Sequence, residues 1–148
     1  MEYAIGFVLA LAVSCLARAT GLDRDRAFYA TVTMVVASYY VLFAAIGGST
    51  HTLVVESIVM TVFVLVAVLG FKLNLWLVVA GLGGHGVFDA LHDLVYTNPG
   101  VPEWWPAFCM TFDIAAAGVL AWLLLRSKLA VRPRRDVNAD LGSANAAS

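Results

Sequence analysis

His85, Asp89 and His92 stand at i, i+4 and i+7, with Asp93 next to the last of them, in a segment that is otherwise glycine and aliphatic residues. On a helix that spacing stacks the three side chains along one face. Imidazole nitrogens and a carboxylate on one face are the donor set of a divalent metal such as zinc. The same groups could exchange protons without a metal, one carboxyl held protonated beside an ionised partner. Ligands at i and i+7 are about 10 Å apart along the axis, so His85 and His92 reach one ion only if the helix bends. Asp89 with either histidine is the better pair. Cys109 and Asp113 repeat the i, i+4 relation further on, and Glu56 and His51 add an acid and a base earlier in the chain.

The elements carrying these residues are apolar enough to cross a bilayer. Of 148 residues, 61% are hydrophobic and 13% charged, against about 45–50% and 25% in soluble domains, and the mean hydropathy is +0.87. Five apolar runs, Tyr3–Ala17, Ala27–Ile46, Thr52–Phe71, Leu73–Tyr96 and Trp104–Leu125, approach or reach the roughly 20 residues of a span. The expected fold is therefore all-α, a polytopic bundle of five transmembrane helices over residues 1–126. The first run is expected to be a retained helix and not a secretory signal, because MEYAIG lacks the basic n-region. The remainder, 127–148, begins basic and turns polar and aperiodic, and is expected to be a disordered cytoplasmic tail.

All nine Lys and Arg follow run 1 (Arg18, Arg24, Arg26), separate runs 3 and 4 (Lys72), or follow run 5 (Arg126, Lys128, Arg132, Arg134, Arg135). With five spans these positions share one side. The positive-inside rule makes it the cytoplasm and puts the N-terminus outside, in a cell (inner) membrane. This use of the basic residues leaves none for nucleic acid. Cys15 and Cys109 then lie near opposite faces, too far apart for a disulfide.

Depth follows from orientation. His85 stands about 20 Å above Lys72 at helical rise, just past the midplane, with Asp89, His92 and Asp93 nearer the outer surface. Glu56 and Asp113 fall in the same outer half. Ionisable groups at a helix centre cost about 2.5–3.5 kcal/mol each on insertion scales. A shared depth on three helices therefore predicts a polar pocket open to the outside. GLGGHG at 81–86 matches a dinucleotide fingerprint in letters alone. No strand precedes it, and its glycines suit close helix packing, or a loosened helix at His85. Trp104 reads as an interfacial anchor, and Cys109 as a small buried apolar residue.

The H-x-x-x-D-x-x-H helix followed by W-W-P-x-F-C-x-x-x-D resembles an uncharacterised family of small bacterial multi-pass membrane proteins, a domain of unknown function. His85, Asp89, His92, Trp105, Pro106, Cys109 and Asp113 carry the likeness, which spans about Gly81 to Trp122. It implies that the last two helices form a unit, and it implies no activity.

Two functions fit these residues. One is a membrane-embedded enzyme acting on a lipid or isoprenoid, with Asp89, Asp113 and Glu56 as acid/base groups and His85, Asp89 and His92 as metal ligands. The other is a proton-coupled carrier or ion path. Against the second stands the inner half of run 4, LNLWLVVAGLGG, which offers only Asn74; a second copy of the chain in a homo-oligomer could supply the missing half. The plain alternative is a bundle whose polar groups only hydrogen-bond one another, each bond contributing about 0.6 kcal/mol on average.

Overall fold

The computed structural model describes residues 1–126; the tail expected at 127–148 lies outside the described residues. Five helices make up the described chain: α1 (Glu2–Thr20), α2 (Ala27–Ile46), α3 (Thr50–Lys72), α4 (Trp76–Val95) and α5 (Trp105–Leu125). Four of them, α1, α2, α3 and α5, are long and apolar enough to cross a membrane. The helix α4 has comparable length, but His85, Asp89, His92, Asp93 and four glycines dilute its hydropathy.

The helix ends follow from local chemistry. Gly21 closes α1 in the left-handed conformation (φ 81°), where a side chain would be strained. The Ser49 hydroxyl caps α3 by accepting from the Thr52 N–H at 3.2 Å. Asn74 Oδ1 accepts the Trp76 N–H at 3.0 Å, which starts α4 three residues later than the apolar run does. Pro106 sits in the first turn of α5, where a missing N–H costs nothing. The Arg26 guanidinium donates to the carbonyls of Phe71 and Gly70 at 3.0 and 3.3 Å. A cation thus meets the negative end of the α3 dipole.

Packing places α4 at the centre. It lies between α3 and α5 and also touches α2, while α1 lies against the far side of α5 and α2 against α3. Its buried residues, Val78, Gly81, Leu82, His85, Gly86, Asp89 and His92, form one stripe at helical spacing. The glycine run lets neighbours approach without breaking the helix. A Cβ on Gly86 would press on Ile114 and the Met110 carbonyl, and one on Gly81 would crowd Val66. Gly83 faces open space. Gly6 of α1 meets the Phe108 carbonyl of α5 so closely that no Cβ fits between them.

Away from the centre the helices present aliphatic stripes outward. On α3, Val54, Ile58, Val62, Leu65 and Leu69 are all exposed, a continuous apolar face of the kind that lipid covers. Beneath the polar centre, towards the arginine-bearing end, lies an apolar core of Val36, Val78, Leu82, Ala117, Leu120 and Leu123.

Candidate metal centre

Halfway along α4, His85 meets two carboxylates. Its Nδ1 lies 2.6 Å from Asp113 Oδ2 on α5 and 3.5 Å from Asp89 Oδ2 one turn along its own helix. The Cys109 thiol, one turn before Asp113, lies 4.0 Å from that same Asp113 oxygen. One ligand atom from each of His85, Asp89, Cys109 and Asp113 falls within 4.8 Å of all the others. None of the four residues is more than 2% exposed. The antiparallel packing of α4 on α5 sets this arrangement, because it faces His85 and Asp89 with the Cys109–Asp113 turn.

The centre is short of hydrogen bonds. Both carboxylate oxygens of Asp89 and Oδ1 of Asp113 are buried without a hydrogen bond among the described residues, Asp89 Oδ2 having only the 3.5 Å approach of His85 Nδ1, and the Tyr40 hydroxyl is buried without one too. Uncompensated carboxylate oxygens in a dry interior are costly, and His85 offers a single proton to two carboxylates. The donor set, one imidazole, two carboxylates and a thiol, matches that of zinc-type ions. Bonds of about 2.0–2.3 Å give ligand–ligand edges of roughly 3.3–3.7 Å in a tetrahedron. The pairs here run from 2.6 Å upward with a limit of 4.8 Å, so side-chain shifts of about 1 Å would suit an ion. The cluster could hold a metal ion.

His92 belongs to a different network. Its Nε2 lies 3.0 Å from Glu56 Oε1 on α3, and its Nδ1 lies 3.1 Å from Asp93 Oδ1. Asn98 Nδ2 also donates to Glu56 Oε1 at 2.8 Å, and the Tyr96 hydroxyl donates to Oε2 at 2.8 Å. Asn98 reaches the Tyr40 carbonyl as well, at 3.2 Å. The Tyr40 ring stacks on His92 with centroids 4.4 Å apart. Both oxygens of Glu56 are thus satisfied, and the network pins α2, α3, α4 and the loop after α4 to one another.

The expected ligand trio of His85, Asp89 and His92 is therefore divided. His85 and Asp89 stay together, as the expected i, i+7 separation on an unbent helix requires, while His92 is drawn to Glu56. The acid/base trio of Asp89, Asp113 and Glu56 divides in the same way, because Glu56 spends both oxygens on the second network. Cys109, read as an apolar filler, instead joins the centre. The i, i+4 spacing to Asp113 was the signal for it. Asn98 and Tyr96 were not singled out by sequence, and the Asn-Pro-Gly turn that buries Asn98 was the cue.

The outward-open polar pocket is also replaced. Phe63 packs edge-on to His85 and Phe88 edge-on to His92, with ring centroids 4.9 and 5.5 Å apart. These polar groups are enclosed by rings and by each other instead of by water. His51 and Asp93 are exposed at the helix ends. An apolar groove of about 970 Å³ between α1 and α2 is lined by Ile5, Leu9, Val35, Phe108 and Cys109 among others. Cys109 is the one member of the cluster that lines it. The two cysteines are free.

The fold and site define an all-helical chain, compatible with an integral membrane protein, that encloses a buried histidine–carboxylate–thiol cluster. No protein-family model, curated protein or solved structure matches it.

Proposed function

We propose that this chain is a five-span protein of the cell (inner) membrane, N-terminus outside and C-terminus in the cytoplasm, whose buried cluster binds one zinc-type ion for chemistry on a lipid or isoprenoid chain. Support for the topology comes from α1 and α5 running parallel: Gly6 lies by Phe108 near both starts, and Arg18 shares a groove with Trp122 near both ends. If α2 and α3 cross as their length and hydropathy allow, α4 must cross as well to bring α5 parallel to α1. The likeness of the α4–α5 unit to small bacterial membrane proteins accords with this placement and contributes nothing to the chemistry.

The observation that carries the metal reading is a contrast along one helix. Two turns of α4 separate a saturated network, Glu56–His92, from an unsaturated one, His85–Asp89–Asp113. A bundle needing only hydrogen bonds to fix its packing would satisfy both. His85, Asp89, Asp113 and Cys109 would hold the ion; four protein ligands fill a tetrahedral shell, so a bound ion would supply Lewis acidity to a substrate oxygen taken on as a fifth ligand. The apolar α1–α2 groove gives a hydrocarbon chain a route to the Cys109 side of the centre. Trp105, packed on Tyr39 and Phe43 at 5.0 and 4.9 Å, stiffens one end of that groove. The buried layer of Val78, Leu82 and Leu120, each 0% exposed, disfavours an ion path to the other face.

Elemental analysis of the purified protein tests the proposal. About one equivalent of zinc per chain is expected, lost in Asp89→Ala and retained in Glu56→Gln. Protein that carries no metal, and takes up none from added zinc, would overturn it.

A further inference from the structure

The structure points to a second lipid site, on the opposite side of the α1–α5 pair from the groove described above: we propose that this cleft binds an anionic phospholipid of the cytoplasmic leaflet. The inference rests on the membrane placement proposed above and not on the metal centre. The cleft has a volume of about 960 Å³, within the range of small-molecule pockets. Phe7, Leu11 and Ile114 form its apolar walls, and Gly118 lies in its floor. A Cβ on Gly118 would meet nothing within 4 Å, so the absence of a side chain there deepens the trough without serving helix packing.

Charge at one end specifies the occupant. Arg18 lines the cleft where α1 ends, and its Nη1 is held by the buried Asp23 Oδ2 at 3.0 Å. The Arg18 side chain remains 45% exposed, and its other guanidinium N–H groups make no hydrogen bond among the described residues. Trp122 lines the same end, and the Arg126 guanidinium lies over its ring, 4.5 Å from the centroid. Asp23 neutralises Arg18, and Arg126 forms no ion pair among the described residues. An apolar trough with Arg18 at its end, and Arg126 beside it on the Trp122 ring, complements an acyl chain joined to an anionic phosphodiester. Basic clefts between spans on the cytoplasmic side recognise such headgroups. Arg18 is thereby fixed by Asp23 in the pose that offers its free edge to a phosphate, as bidentate guanidinium contacts require.

Native mass spectrometry of the full chain, titrated with phosphatidylglycerol or phosphatidylcholine of the same acyl composition, tests this. Phosphatidylglycerol should be retained over phosphatidylcholine, by about fivefold for each arginine engaged. Gly118→Leu should abolish retention by filling the trough. Arg126→Gln, which leaves the Arg18–Asp23 pair intact, should reduce the preference about fivefold with metal content unchanged. Inorganic phosphate should not displace the lipid, since it lacks the chain. Equal retention of the two lipids by the unaltered protein would overturn the proposal, as would a preference that survives both substitutions. If Gly118→Leu does not fold, the Arg126→Gln result decides alone. A chain that fails to fractionate with membranes would instead contradict the membrane placement itself.

Discussion

His85 Nδ1 and Asp113 Oδ2 are 2.6 Å apart at the centre of the bundle, and this contact joins α4 to α5 at a point where neither residue reaches solvent. The proton between them is the one that a metal ion would replace. Asp89, Cys109 and the free oxygen of Asp113 surround that position, whereas the second histidine of α4 is one of three side chains that satisfy Glu56.

The two networks should therefore respond differently to substitution. Glu56→Ala removes the acceptor shared by His92, Tyr96 and Asn98, leaving Asn98 only the Tyr40 carbonyl and His92 only Asp93, and should destabilise the protein by about 2–4 kcal/mol. Glu56→Gln, which keeps the shape, should cost less. Metal content should be unchanged in any folded fraction of either variant. Equilibrium unfolding in mixed micelles, paired with elemental analysis, checks both halves of this expectation.

Glycine substitutions should separate close packing from helix propensity. Gly6→Ala forces a methyl into the Phe108 carbonyl and Gly86→Ala presses one on Met110 and Ile114, so both should destabilise, by about 1–3 kcal/mol. Gly83→Ala points into open space and should be neutral or stabilising by up to about 1 kcal/mol. Thermal unfolding of the three variants provides the ranking.

Much of this was legible in the amino-acid order, and the remainder depended on rotation. Ala27–Ile46 is both the apolar run and the helix, because arginine and glycine bound it. The run Leu73–Tyr96 shrinks to Trp76–Val95, because Asn74 Oδ1 turns the chain by accepting the Trp76 N–H and Tyr96 turns away to bond Glu56. The stripe of His85, Asp89 and His92 follows from spacing alone. The partners of each residue do not: they depend on how α3 and α5 are turned and registered against α4. That register brings Asp113 to His85, and brings Glu56 to His92 two turns away. Position along a span carries no information about whether water or aromatic rings surround an ionisable group, and here Phe63 and Phe88 pack on the two histidines.

Topology can be tested without purification. Reporter fusions after Arg126 should be active as a cytoplasmic fluorescent protein and inactive as a periplasmic phosphatase, and fusions in the loop after α4 should behave in the opposite way. A phosphatase-active C-terminus would contradict the five-span orientation.

Cys109 should distinguish the proposed centre from a plain packing contact. It lines the apolar groove and lies beside Asp113, so in a Cys15→Ala background a membrane-soluble maleimide should label it after chelation. Zinc should restore protection, as expected of a coordinated thiolate. Labelling indifferent to zinc would remove Cys109 from the ligand set.

The most direct test of the central claim is zinc K-edge X-ray absorption on the purified, zinc-loaded protein. A four-coordinate site is expected, with one sulfur at about 2.3 Å and nitrogen and oxygen donors at about 2.0–2.2 Å, the sulfur shell vanishing in Cys109→Ser. A six-coordinate, oxygen-only spectrum, or one unchanged when Asp89 and Asp113 are both replaced by asparagine, would contradict it.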